Sequence, residues 1–238
     1  MPTTIDLGGT TLHVVRKDIK HVHLSVYPPA GAVRVAAPTR MSLDTIRLFT
    51  ISKLPWIRQQ QRKLRDQARE TPREYLERES HHVWGRRVLL KIIERDAAPN
   101  VELRHAKLVL QVRPASDEEA RDAVLAAWYR QILREAVHPL IKTWERHLKV
   151  NVAGFYVQHM KTKWGSCNAR AHKIRLNTEL AKKPRECLEY IVVHELAHLR
   201  ERTHGARFVA IMDRHLPRWR DTRELLNRLP ARHEQWVY

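Results

Sequence analysis

Residues 185–204 read RECLEYIVVHELAHLRERTH, and this stretch decides what kind of core the chain builds. Cys187, Leu188, Ile191 and Val192 recur at helical spacing, and neither Gly nor Pro interrupts residues 185–202, so one helix is expected there. His194 and His198, at i and i+4, then lie on one face a turn apart, where both imidazoles can reach a single ion. Glu195 is rotated by about 100° from His194, near enough to work on a water at that ion without ligating it. Zinc suits two or three nitrogen ligands with one position left open. The pattern therefore reads as a hydrolytic zinc site, with Glu195 as the catalytic base.

His204 stands six residues after His198 and is the natural third ligand. With 15 histidines in the chain, chance alone produces H-E-x-x-H in roughly 7% of such sequences, and demanding His204 as well lowers this to roughly 0.4%. That second figure favours a site over coincidence. Thr203-His204-Gly205 reads as the end of the helix, with Gly205 free to take an unusual backbone angle that returns His204 toward the metal. A solvent-facing, helix-terminal histidine is the plainer alternative, and Glu224, Asp221, Asp213 and His215 are rival third ligands. The spacing equals that of metzincins, but Glu201 replaces the glycine of that clan, so the chain is not assigned to it.

Upstream stands Met160-Lys161-Thr162-Lys163-Trp164-Gly165-Ser166-Cys167. A tight Trp164-Gly165-Ser166 turn leading into a strand over residues 174–180 can form an edge beside the metal helix. A peptide substrate would add to that edge as a further strand. A nucleotide substrate would instead have its phosphate oxygens neutralised by Lys161 and Lys163. Lys161, Lys163, Trp164, Gly165 and Ser166 are thus the candidate substrate-binding residues; the plainer reading is a glycine turn with Trp164 in the core. Lys163, His159 and the backbone around Ser166 are candidates for stabilising an oxyanion. Cys167 reads as a buried thiol, because three histidines already suffice.

The joint pattern K-x-K-W-G-S-C, then N-x-x-L from Asn177, then H-E-L-x-H-x5-H resembles the YgjP-like metallopeptidase family, a zincin-like group. The likeness covers nearly the whole chain, including Val33-Arg34-Val35-Ala36-Ala37-Pro38 and Leu216-Pro217-Arg218-Trp219. It implies zinc on His194, His198 and His204 with Glu195 as base. It also implies kinship with SprT-like and WLM proteases, some of which act on proteins crosslinked to DNA. A pyrophosphatase activity on UTP is attached to the family as well. A shared site does not transfer the substrate.

Before residue 150 the chain reads as β-rich packaging. Strands are expected around Leu12 and Val14, Val22 to Val26 and Val33 to Val35, with Pro28-Pro29-Ala30-Gly31 as the breaker of a small antiparallel meander. Ser42 or Asp44 can cap a helix through Leu54, which Pro55 interrupts before a polar, basic helix from Trp56 to Arg69. Residues 53–73 hold Lys53, Arg58, Arg62, Lys63, Arg65, Arg69 and Arg73. They make either a polyanion-binding helix or, more simply, a solvated face with intrahelical pairs. Strand-like sequence returns over residues 83–112. Ser116 and Glu119 then form a capping box for a long helix reaching about Leu148 despite Pro139. No internal repeat is visible.

The net charge of +18 favours polyanionic partners, and a nucleic acid or nucleotide is one class of partner alongside a peptide or protein substrate. No apolar run reaches the length of a membrane span. Two cysteines, Cys167 and Cys187, are too few for a disulfide framework, which points to the cytoplasm. The expected fold is α+β, with a β-rich region carrying a basic helix over residues 1–115 and a zincin-like core over 116–238, a small sheet beside the H-E-x-x-H helix. The expected function is zinc-dependent peptide hydrolysis. UTP pyrophosphatase activity, or a nucleic-acid-binding module with a structural zinc, are the alternatives.

Overall fold

The computed structural model describes residues 3–27, 31–66, 73–160 and 163–230. The chain groups into two compact units, and the second, Arg73–Leu229, holds the metal motif. Residue 115, where the sequence reading divides the chain, falls inside that second unit.

The first unit begins with β1 (Thr3–Asp6), β2 (Thr11–Lys17), β3 (His23–Tyr27) and β4 (Ala32–Pro38). Their order is β1-β2-β4-β3, and β2 pairs with β4 in parallel, so the expected antiparallel meander is not what forms. The reason lies in side-chain burial. β4 buries Val33, Val35 and Ala37, whereas no residue of β3 is fully buried, so β4 takes the centre and β3 the edge. Residues 28–30 of the expected breaker lie outside the described residues. Helix α1 (Leu43–Ser52) is capped by Ser42, whose Oγ accepts from Thr45 N at 3.1 Å, and α2 (Leu54–Asp66) follows after a break at Lys53. Ile46 and Ile57 close this small core with Leu12 and Val35. Of the expected basic run, Arg69 lies outside the described residues.

The second unit opens with β5 (Ser80–Val83), β6 (Arg86–Glu94), β7 (Asn100–Arg104) and β8 (Lys107–Val112). Their order, β5-β6-β8-β7 with β6 parallel to β8, repeats the topology of the first sheet although no sequence repeat accompanies it. Between β5 and β6 stand Trp84 (φ 51°) and Gly85 (φ 77°), the two left-handed residues of a tight hairpin turn. The long helix α3 (Glu118–Leu148) passes through Pro139 as expected. Its cap is Asp117, which accepts from Ala120 N at 2.8 Å, while Ser116 Oγ donates to Arg113 O. The cap therefore sits one residue later than expected, and the expected capping box of Ser116 and Glu119 is replaced by a single Asp117 cap.

A three-stranded sheet, β9 (Gly154–Gln158), β10 (Gly165–Asn168) and β11 (Lys173–Asn177), has the order β10-β11-β9. The expected strand over 174–180 stops at Asn177, and a 3₁₀ helix (Thr178–Lys182) continues the chain. Helices α4 (Arg185–Ala197), α5 (Ala206–His215) and α6 (Trp219–Arg228) complete the unit. Trp144 Nε1 on α3 donates to Glu189 Oε1 on α4 at 3.0 Å. Trp219 and Leu226 are buried with Leu225 packed beside them, which makes α6 the expected closing helix. The chain is α+β, and its second unit carries a zincin-like core. No described helix is long and apolar enough to cross a membrane.

Candidate metal centre

Helix α4 is buried almost all round: Leu188, Ile191, Val192, Val193, Leu196 and Ala197 pack against α3, the three-stranded sheet and α6. Its start has no side-chain cap. The Trp84-Gly85 hairpin instead holds the segment leading into it, with Trp84 N donating to Ala181 O (2.8 Å) and Gly85 N to Lys182 O (3.2 Å). The Arg185 guanidinium lies 4.4 Å from the centre of the Trp84 ring. A helix fixed this way has little freedom to move the residues at its other end.

Those residues are His194, Glu195 and His198. The helix stops earlier than the uninterrupted sequence predicts, with His198 as its cap. That residue keeps helical angles (φ −66°, ψ −16°), so the i, i+4 relation survives. The chain then turns through residues 199–204, and Gly205 caps α5. Gly205 is extended (φ −74°, ψ −173°), so the expected unusual glycine angle is absent and the turn itself returns His204.

One ring nitrogen from each of His194, His198 and His204 lies within 4.8 Å of the others. The Nε2 atoms of His194 and His204 are 3.1 Å apart. His198 Nδ1 meets Glu201 O at 3.0 Å, which fixes the ring and leaves its Nε2 for an ion. His194 Nδ1 is buried with no hydrogen-bond partner among the described residues. Phe208 of α5, itself buried, touches all three imidazoles, with ring centres 4.7–4.9 Å away. Behind His194 packs Tyr190, and behind Tyr190 the stacked indole of Trp219.

Burial, and then the neighbouring His198 and His204, push His194 down to about 3. Burial also lowers His198. Neutral imidazoles with free lone pairs are what a divalent cation takes, so the donor set fits a metal ion. Burial raises Glu195 to about 8, opposed by the charge of Lys163.

The rival ligands are engaged elsewhere. Asp213 accepts from Trp219 Nε1 at 2.7 Å and pairs with Arg220, Asp221 pairs with Arg218, and Glu224 pairs with Arg228. His215 faces the ring of Trp144. Cys167 is half-buried, its thiol raised to about 11 by burial and then by Glu195, and it stands outside the histidine cluster.

The upstream segment is brought beside this cluster. A cleft of about 1140 Å³ is lined by the three histidines and Glu195 together with Lys163, Gly165 and Ser166. Trp164 does not line it; its ring packs against the core, with Lys183 Nζ 6.0 Å from the ring centre. Lys161 lies outside the described residues. Gly165 comes very close to the carboxylate: a Cβ there would stand 2.7 Å from Glu195 Oε1. Asn177, noted in the sequence only as part of a motif, sets this approach. Its Nδ2 donates to Met160 O (2.7 Å) and Lys163 O (2.9 Å), and its N to Trp164 O (2.9 Å), so it holds both ends of the K-T-K-W segment. Phe208 carries no signal that a single sequence can show.

Two imidazoles and a buried glutamate at the end of one helix, joined by a third imidazole from the turn that follows and facing a cleft edged by a strand, define a metallopeptidase-like hydrolase with a zincin-like core. The chain belongs to the YgjP-like metallopeptidase domain family, whose model matches residues 20–229. Among solved structures it is similar to the metallopeptidase zymogen abylysin of Pyrococcus abyssi, at 21% identity over 38% of this chain and 90% of that one, TM-score 0.36. It is also similar to the zymogen jannalysin of Methanocaldococcus jannaschii, at 21% identity over 38% and 87%, TM-score 0.35. No curated protein matches the chain.

Proposed function

We propose that this protein is a zinc metallopeptidase acting on peptide or protein substrates, with His194, His198 and His204 as ligands and Glu195 as general base. The observation that carries the reading is the convergence of three imidazole nitrogens within 4.8 Å beside a buried carboxylate. Zinc held there supplies Lewis acidity, acidifying water and polarising a carbonyl. Glu195 accepts the proton of the attacking water and returns it to the leaving amine. The edge of β10 offers main-chain donors and acceptors to an extended peptide. Gly165 leaves the carboxylate its space, and Asn177 holds the edge where Gly165 can do so. A reducing cytoplasmic setting suits two free cysteines.

One observation favours a second reading. Lys163, Arg170, Lys173, Arg175 and Arg202 all line the cleft, and such a cation set would also hold the phosphates of a nucleotide such as UTP. A structural-zinc, nucleic-acid-binding module is disfavoured, because an open three-ligand site with an adjacent base serves no structural purpose.

The test is metal content followed by parallel turnover of an unfolded protein and of UTP. One zinc per chain, with proteolysis lost in Glu195→Gln while zinc is retained, is the expected result. Release of phosphate or pyrophosphate without proteolysis would transfer the assignment to the nucleotide reading.

A further inference from the structure

Strand β10 is an edge. In the order β10-β11-β9 its outer side has no strand partner among the described residues. Its inner-face residue Gly165 lies against Glu195. The opposite face follows from the register: β11 buries Ile174 and Leu176 and exposes Lys173 and Arg175. Cross-strand partners share a face, so Ser166 sits beside Arg175, and Asn168 beside Lys173. The cleft runs from the histidines over β10 onto this face.

The charge of the cleft is one-sided. Lys163, Arg170, Lys173, Arg175 and Arg202 line it, and Glu195 is the one carboxylate among the lining residues. None of the five forms a close ion pair with a carboxylate among the described residues, although the charge of Lys163 acts on Glu195; Lys173 Nζ lies 3.5 Å from the Tyr156 hydroxyl and 5.8 Å from the centre of its ring. Cations left without partners on a substrate-facing surface are complementary to an anionic ligand.

Reach decides what part of the ligand they meet. A peptide added to β10 lies about 5 Å from it and roughly 10 Å from β11. The short side chains of Ser166 and Asn168 leave Arg175 room to extend across β10 toward a carboxylate on the added strand, and Lys173 reaches the next such position by swinging over from Tyr156 on β9, where its ammonium now lies. Successive side chains of that strand alternate faces, so the meeting occurs at every second position.

Building on the peptidase reading, we infer that the cleft selects peptides with acidic side chains at alternate positions beside the scissile bond, met by Arg175 and Lys173 across β10. A polynucleotide is the less suited occupant. Arg175 and Lys173 follow the strand register next to an edge with no strand partner among the described residues, and Tyr156 is the one exposed large aromatic described on that face.

The experiment compares kcat/KM of the zinc-loaded protein on peptides differing only in Glu, Gln or Lys at alternate positions. Each Glu is expected to give about a fivefold advantage over Gln, and the advantage should shrink as salt rises. The double variant K173E/R175E should invert the preference toward Lys while keeping one zinc per chain. Equal rates on the three peptides would overturn the inference and leave the peptidase reading standing, as would an unchanged preference in the double variant. Failure to cleave any peptide would remove the peptidase reading and this inference with it. Inhibition by a single-stranded oligonucleotide, combined with a flat peptide preference, would reassign the cations to a polynucleotide and refute the proposal.

Discussion

Replacing Gly165 by alanine is the sharpest test of how the site is assembled. A Cβ at that position would stand 2.7 Å from Glu195 Oε1, 2.8 Å from Cγ and 3.0 Å from Cδ. Carbon atoms meet comfortably only from about 3.5 Å, so the carboxyl group must retreat by roughly 0.5–1 Å. The helix cannot retreat for it, because Leu196, Val192 and Val193 around it are fully buried. The Glu195 side chain must therefore turn out of place. A reacting group misplaced by about 1 Å costs on the order of a hundredfold. Gly165→Ala should lower kcat/KM for peptide hydrolysis by about that factor, mostly through kcat. Zinc content should stay at one per chain, since the contacts of the added methyl are to Glu195 and not to the histidines. Steady-state assays beside metal analysis separate the outcomes. Activity within about twofold of the parent, or metal lost along with activity, would refute the argument.

Phe208→Ala removes the ring shared by all three imidazoles. It should destabilise the protein by about 3–5 kcal/mol and weaken zinc binding, read by denaturant titration and by competition with a chromogenic chelator. Unchanged zinc affinity would mean that the ring packs without orienting the ligands. Stripping the metal should expose two opposed pH effects. His194, lowered from 6.5 to about 3, is neutral when folded and charged when unfolded between those values, so it makes stability fall as pH drops through that window. Glu195, raised from 4.5 to about 8, holds its proton longer when folded, so it makes stability fall as pH rises from 4.5 to 8. The difference in Tm between metal-free parent and Glu195→Gln should therefore grow in favour of the variant as pH rises from 4.5 to 8. A difference independent of pH would rule the buried carboxyl out as its source.

Much of the histidine cluster was legible because it rests on local spacing. His194 and His198 are bound to one face by helix geometry alone, and His204 is close enough in sequence for a single turn to return it. The closing role of Trp219 and the course of α3 through Pro139 were readable for the same reason, since each follows from periodicity. Features that depend on pairing across distance were not. The swap of β3 and β4 turns on relative burial of two similar strands, and the cap at Asp117 rather than Ser116 turns on a choice between adjacent acceptors. Gly165 reads as a turn former, whereas its importance is the missing side chain facing Glu195, a contact no local pattern encodes. Phe208 and the loop-holding amide of Asn177 belong to the same group.

The hairpin at Trp84 and Gly85 carries a consequence for how the protein folds. Just before helix α4, main-chain groups of residues 181 and 182 accept bonds from a turn formed far earlier in the sequence. Such a contact closes a long loop, so it is made late and at an entropic cost. Ligand convergence must then wait for the β5–β6 ribbon to dock. A chain cut at residue 115 would lack that anchor. Zinc, by binding only the docked form, would draw the ribbon into place through mass action. Metal loading would thus stabilise a turn that contains no ligand, and hydrogen exchange at the Trp84 and Gly85 amides would slow when zinc is added.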